Sequence, residues 1–81
     1  MKLVELTEFL VKSIAKQPDM VSVKQFEDEE DIVNIQVFVS EEDMGSVIGK
    51  GGSIANSIRT IVQAASYIGD NKKVKINIDS F

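Results

Sequence analysis

Apolar residues recur at helical intervals in the first segment of the chain. Leu3, Leu6, Leu10 and Ile14 fall on one stripe, with Phe9 beside them, which predicts an amphipathic helix over residues 2–16. Gln17-Pro18 stops it, because the residue before a proline disfavours helical backbone. The period then changes. "VSVKQF" (21–26) is partly β-branched with partial alternation and reads as a short strand. In "DIVNIQVFVS", Val33, Ile35, Val37 and Val39 alternate against Asn34, Gln36, Phe38 and Ser40, a strand with one apolar face. The acids between the two strands, "EDEED" (27–31), are too charged to bury and read as a hairpin turn.

After Ser40 the helical period returns. Ser40 and Asp43 form an S-x-x-[DE] helix start, and Glu41 and Glu42 sit in a first turn where the helix dipole favours negative charge. The spacing predicts a short helix from Glu41 to about Ile48. Glycines 49, 51 and 52 interrupt it, and Ser53 stands where it would cap a longer helix over 53–68. The stripe Ile54, Ile58, Ile61, Ala65 and Ile68 marks the expected core face of that helix, which is about 24 Å long at 1.5 Å per residue. Gly69 is the expected C-cap, and "DN" turns the chain. In "KVKINID", Val74, Ile76 and Ile78 alternate against Lys73, Lys75, Asn77 and Asp79, a last strand. The expected fold is α+β in the order α-β-β-α-α-β. It has a three-stranded sheet, one face of which is covered by three helices. Two helices join the second strand to the last, which favours a parallel, right-handed crossover. No internal repeat or boundary divides residues 1–81, which read as a single domain.

Composition excludes most catalytic chemistry. The chain has no histidine and no cysteine, which removes the common zinc sites, thiolate nucleophiles and His-based triads. The carboxylates cluster as "EDEED" and "EED", which read as a solvated loop and a helix start, with no pocket suggested around them. No enzyme activity, cofactor, metal or small-molecule substrate is expected. No stretch approaches the roughly 18 apolar residues of a membrane span. Glu5 and Glu8 interrupt the N-terminal segment and no small-residue cleavage site follows it, so no secretory signal and no membrane association are expected. Together with the lack of cysteine, this points to the cytoplasm.

A net charge of −4 speaks against a nucleic-acid partner until its distribution is read. Residues 1–43 hold four lysines and eleven Asp/Glu, a balance of −7. Residues 44–81 hold five Lys/Arg and two Asp, a balance of +3. The basic half carries "GKGG" (49–52). This is not a nucleotide-binding P-loop: only three residues separate Gly45 from Gly49, a glycine follows Lys50, and the preceding segment is helical. The G-x-G-x-x-G pattern fails too. Two readings stay open. Either the glycines make a tight helix–helix turn, or they bare a main chain on which a nucleic-acid backbone lies, beside Lys50 and the helix-start amides.

"VIGKGGSIANSI" (47–58) resembles the KH-domain signature, an apolar pair, then G-x-x-G, then apolar residues on the next helix. Ile48, Gly49, Gly52, Ile54 and Ile58 match, while Ala55 stands where a larger aliphatic is often seen. The element order resembles the type II KH arrangement. "LVELTEFLVKSIAKQPD" and "EEDMGSVIGKGGSIANSIRTIV" make the chain similar to the small, free-standing bacterial KhpA-type (YlqC-type) RNA-binding proteins. The resemblance implies a groove for about four single-stranded RNA nucleotides. Its walls would be the helix end at Ile48, the loop Gly49–Gly52 with Gly51, the helix start at Ser53, and the sheet edge. Lys50 would face phosphate. Arg59 would reach phosphate or stack on a base, and Asn56 would meet a base edge; each reads equally well as surface. Lys72, Lys73 and Lys75 make a basic strand end that also serves to blunt a sheet edge, and the acidic loop looks like the family's variable loop.

The resemblance also implies a post-transcriptional regulator or RNA chaperone linked to cell elongation, cell shape and cell wall organisation. That role would run through a homodimer or a heterodimer with a larger Jag-type (KhpB) KH protein. A different class of reading is a protein-interaction module with little RNA binding of its own, since Ala55, Val62, Ala64 and Tyr67 add apolar surface beyond the expected core face. A DNA-reading helix-turn-helix is weaker, because residues 53–68 offer only Arg59 as a charged contact.

Overall fold

Each predicted element forms, with its boundaries shifted by no more than two residues. The computed structural model describes residues 2–26 and 31–81. The expected acidic turn, Asp31 excepted, lies outside the described residues. Helix α1 spans Leu3–Ile14, strand β1 Ser22–Gln25, strand β2 Ile32–Val39, helix α2 Glu41–Ile48, helix α3 Ser53–Gly69 and strand β3 Lys73–Ser80. Single 3-10 turns at Pro18–Met20 and Lys50–Gly52 add to that plan.

The sheet order is β1-β2-β3. β1 runs antiparallel to β2 with Val23 opposite Val37, and β3 runs parallel to β2 with Ile76 opposite Ile35. The two-helix crossover therefore gives the parallel pair expected of it. β2 is central, and its alternation decides the core: Val33, Ile35, Val37 and Val39 are all buried on one face. Val11 of α1, Val47 of α2, and Ile58 and Val62 of α3 close over them with Ile76 of β3. All three helices thus pack on one face.

The helix faces differ from the expected ones. On α1 the fully buried positions are Thr7 and Val11, while Leu3, Leu6, Leu10 and Ile14 flank the core half-buried and Phe9 is 62% exposed. Thr7 is tolerated inside because its hydroxyl donates to the Leu3 carbonyl at 2.8 Å. On α3 the buried stripe is Ala55, Ile58, Val62 and Ser66. Ile54, Ile61 and Ile68, expected inside, are 37%, 47% and 87% exposed. Small Ala55 and Ser66 turn toward the sheet, and the Ser66 hydroxyl donates to the Lys72 carbonyl at 2.6 Å. Gly69 is the last helical residue rather than the cap; Asp70 takes that place, and Asn71 carries the left-handed φ of 55°. The N–H groups of Asp70 and Asn71 both reach the Ser66 carbonyl at 2.8 Å, which closes the helix end.

Candidate nucleic-acid interface

The glycine loop hangs from α2, so its position depends on how α2 is held. Ser40 is the N-cap residue, but its hydroxyl does not cap the helix. It donates instead to the Asp43 carboxylate at 3.1 Å. Asp43, which the sequence places in a helix start with Ser40, is completely buried. Its Oδ1 accepts the Lys16 N–H at 2.9 Å and its Oδ2 the Gln17 N–H at 3.0 Å. These are the backbone groups just past the end of α1, so one carboxylate joins the exit of α1 to the entry of α2. The two N–H groups, that of Lys16 foremost, hold its pKa below the ordinary value of 3.8; burial opposes them and is outweighed. Nothing in "EED" distinguishes the buried acid from its solvated neighbours. The only sequence hint is its S-x-x-D spacing.

At the other end of α2 the backbone leaves the helical region. Gly49 has φ 76° and ψ 170°, a conformation nearly confined to glycine. A Cβ placed on it would also overlap Ile54, coming within 2.9 Å of that residue's own Cβ and 2.8 Å of its N–H nitrogen. Gly51 and Gly52 follow with φ 62° and 81°. Positive φ at 49, 51 and 52 therefore accounts for all three glycines. The turn also bonds much of itself: the Gly52 N–H donates to the Gly49 carbonyl, and the Ser53 N–H to that of Lys50. The amides expected to point outward at Gly52 and Ser53 are thus engaged. Ser53 is the first residue of α3, and Gly52, left-handed, is its N-cap.

What the turn offers outward is an open surface. A Cβ at Gly51 would meet nothing within 4 Å, and one at Gly52 only the Asn56 side chain at 3.8 Å. Lys50, Gly51 and Ser53 are exposed, and Ile48, Gly49 and Gly52 half-buried. One helical turn on, exposed Asn56 and half-buried Arg59 act together. The Arg59 guanidinium donates to Asn56 Oδ1 at 3.1 Å and to the Ile76 carbonyl of β3 at 3.2 Å. β3 is an edge strand, so Arg59 bridges α3 to the free side of the sheet. The structure therefore gathers Ile48 through Ser53, Asn56 and Arg59 along one border between α2, α3 and β3. Ala55, 1% exposed, belongs to the core and not to that border. Lys73 and Lys75 do not join it either. They alternate with the inward-facing Val74 and Ile76 and lie on the helix-free face of the sheet, opposite Ile32 and Asn34. Sequence reasoning passed over Gln63, whose amide accepts from the Val74 N–H and donates to the Lys72 carbonyl, both at 2.9 Å, fixing the start of β3 against α3.

An α-β-β-α-α-β chain with a G-x-x-G turn between its second and third helices is a type II KH domain. Solved structures share the arrangement. Aquifex aeolicus Era bound to GDP and aluminium fluoride superposes with a TM-score of 0.73 over 98% of this chain and 30% of Era, at 14% identity. Era in complex with MgGDPNP and nucleotides 1506–1542 of 16S ribosomal RNA gives 0.70 over 96% of this chain and 29% of Era, at 16% identity. This chain spans under a third of Era, and at such identity the likeness is one of fold alone. The chain belongs to the KhpA/KhpB KH-domain family, which it matches over residues 4–78. It is 49% identical to the RNA-binding protein KhpA of Clostridium perfringens and 42% identical to that of Clostridium acetobutylicum, over 91% of this chain and 96% of each relative. The corresponding protein of Caldanaerobacter subterraneus is 40% identical over the same shares.

Proposed function

We propose that the chain binds single-stranded RNA in the groove bordered by Ile48, the Gly49–Gly52 turn, the start of α3 and the edge of β3. The observation that carries this reading is the open Lys50–Gly51–Gly52 turn, an exposed cation beside unobstructed main chain, continuing into the Asn56–Arg59 pair. The naming of the Clostridium relatives as RNA-binding proteins supports it. Lys50 meets phosphate, the turn lies against the sugar–phosphate backbone, and Asn56 and Arg59 meet the bases. The protein is a binding protein and not an enzyme. It acts in the cytoplasm as a post-transcriptional regulator or RNA chaperone, tied to cell elongation and shape through a larger Jag-type KH partner.

The test is a double variant, Lys50→Asp with Gly51→Asp. Aspartate tolerates positive φ better than most residues, and position 51 is open, so the fold survives. Retention of an RNA oligonucleotide is abolished if the reading holds; retention at the wild-type level removes the turn from the interface.

Self-association is the second part of the reading, and one observation favours it. Within residues 53–69 the only charged side chain is Arg59. Ile54, Ile61 and Ile68 lie exposed at intervals of seven, with exposed Ala64 beside them. A seven-residue apolar repeat is the seam by which helices pair. The occupant is α3 of a second copy, or of the Jag-type partner, and pairing places two RNA grooves on one particle. Ile61→Asp, at an exposed position, yields a folded monomer by sedimentation. A variant that still sediments as a dimer rejects this seam.

A further inference from the structure

The groove does not end at Arg59. A shallow pocket of about 460 Å³ opens beyond it between α3 and the start of β3, lined by Arg59, Thr60, Gln63, Ala64, Tyr67 and Val74. Arg59 stands on the border of the proposed groove and also lines the pocket, so the two adjoin at that side chain. Arg59, Gln63 and Tyr67 are spaced by four, one line along the helix toward β3. Tyr67 lies eight residues, about 12 Å, past Arg59.

The three side chains are unequally committed. Gln63 uses its amide oxygen on the Val74 N–H and its amide nitrogen on the Lys72 carbonyl. It is a positioning residue that keeps the strand at a fixed distance from the helix. Arg59 is held flat across the border by its bonds to Asn56 and Ile76. Tyr67 is 56% exposed, a large ring open to solvent beside a mostly apolar hollow. Residues 53–69 of α3 carry no acid; the nearest in sequence to Tyr67 is Asp70, the C-cap. The pocket meets the apolar seam at Ala64, which lines the one and flanks the other, while Tyr67 and Ile68 point about 100° apart around the helix, so the ring faces away from the seam.

We propose that this pocket is an additional nucleobase site. A base next to the nucleotides held in the groove stacks on the Tyr67 ring, and Arg59 meets the strand where it passes from groove to pocket. The inference rests on the groove being the RNA site. It lengthens the strand the domain holds beyond four nucleotides, and it assigns Tyr67 a role in affinity with little base selectivity, because every base presents a π-face.

The chain has a single tyrosine and no tryptophan, so its intrinsic emission reports on Tyr67 alone. The full chain is titrated with oligoadenylates of four and six nucleotides. The expected result is that both bind, only the hexamer quenches tyrosine emission, and Tyr67→Leu weakens the hexamer roughly tenfold while leaving the tetramer unchanged. Circular dichroism checks that the variant is folded. A hexamer that binds without quenching, or a Tyr67→Leu variant that binds the hexamer as the wild type does, overturns the pocket and leaves the groove standing. Equal weakening of both lengths likewise assigns Tyr67 no separate site. If neither oligonucleotide binds the wild-type chain, the groove itself is rejected and the pocket with it.

Discussion

The two ends of α2 are held by opposite means. Its first turn is fixed by a charge: the buried Asp43 carboxylate takes the N–H groups of Lys16 and Gln17 and the hydroxyl of Ser40, so its polar atoms are satisfied inside the protein. Its last turn is released by backbone geometry: three glycines at positive φ lead the chain out, into the open and round to α3. The first end has long-range partners 26 and 27 residues away in sequence. The second has almost none beyond its own turn and Ile54. In this way a small domain exposes main chain without losing its place. A loop with few contacts is positioned by anchoring the helix it leaves from, eight residues long and clamped at its far end.

Substitutions at the two ends separate these roles, and the largest effect falls at Gly49. Alanine there meets both a glycine-only conformation and overlap with Ile54, so Gly49→Ala costs about 4 kcal/mol and lowers Tm by on the order of 20 °C. A loss as small as that of an ordinary surface change would mean that the turn adopts another path. Asp43 comes next. Asparagine offers one oxygen where two backbone N–H groups need one each, and its NH₂ then faces a donor. Asp43→Asn lowers Tm by roughly 5–10 °C at pH 7. RNA binding weakens with it if the anchored end positions the loop.

The same substitution carries a pH signature. The carboxyl's pKa is lowered on folding, so its contribution is complete above the ordinary value near 3.8 and is lost as pH falls through the lowered one. The difference between wild type and Asp43→Asn in urea midpoint therefore narrows as the pH is taken from 7 to below 3.8; a constant difference would deny the carboxylate its charged role. The smallest effect is at Gly51, where φ is 62° but nothing lies within reach of a new side chain. Gly51→Ala costs only about 1 kcal/mol by thermal melting, and it leaves α2 and α3 unmoved. If it proved as damaging as Gly49→Ala, the contrast within the turn would fail.

Much of the layout of the candidate site is legible in the sequence. The span of α2, the interrupting glycines and the start of α3 follow from turn chemistry and period, and they bring Ile48 to Ser53 together locally. The period also puts Asn56 and Arg59 on α3, where the structure has them. Their coupling to each other and to Ile76 was not legible, because it needs an edge strand 17 residues farther along. The burial of Asp43 was hidden for a similar reason, since its partners come from α1. Gln63 and Tyr67 carried no motif at all and acquire meaning only where α3 faces β3.

Sequence alone carries the order of the elements and the inner faces of β2 and β3, because alternation of β-branched with polar residues admits one register against a core. It could not determine which flank of α3 is buried. That helix carries two apolar stripes, Ala55–Ile58–Val62 and Ile54–Ile61–Ile68, with one charge to separate them. Periodicity marks a face only when the opposite face is polar. Here the tertiary structure chose the stripe with the smaller side chains. Alanine and serine let the helix approach the sheet closely, and the bulkier isoleucines were left outside.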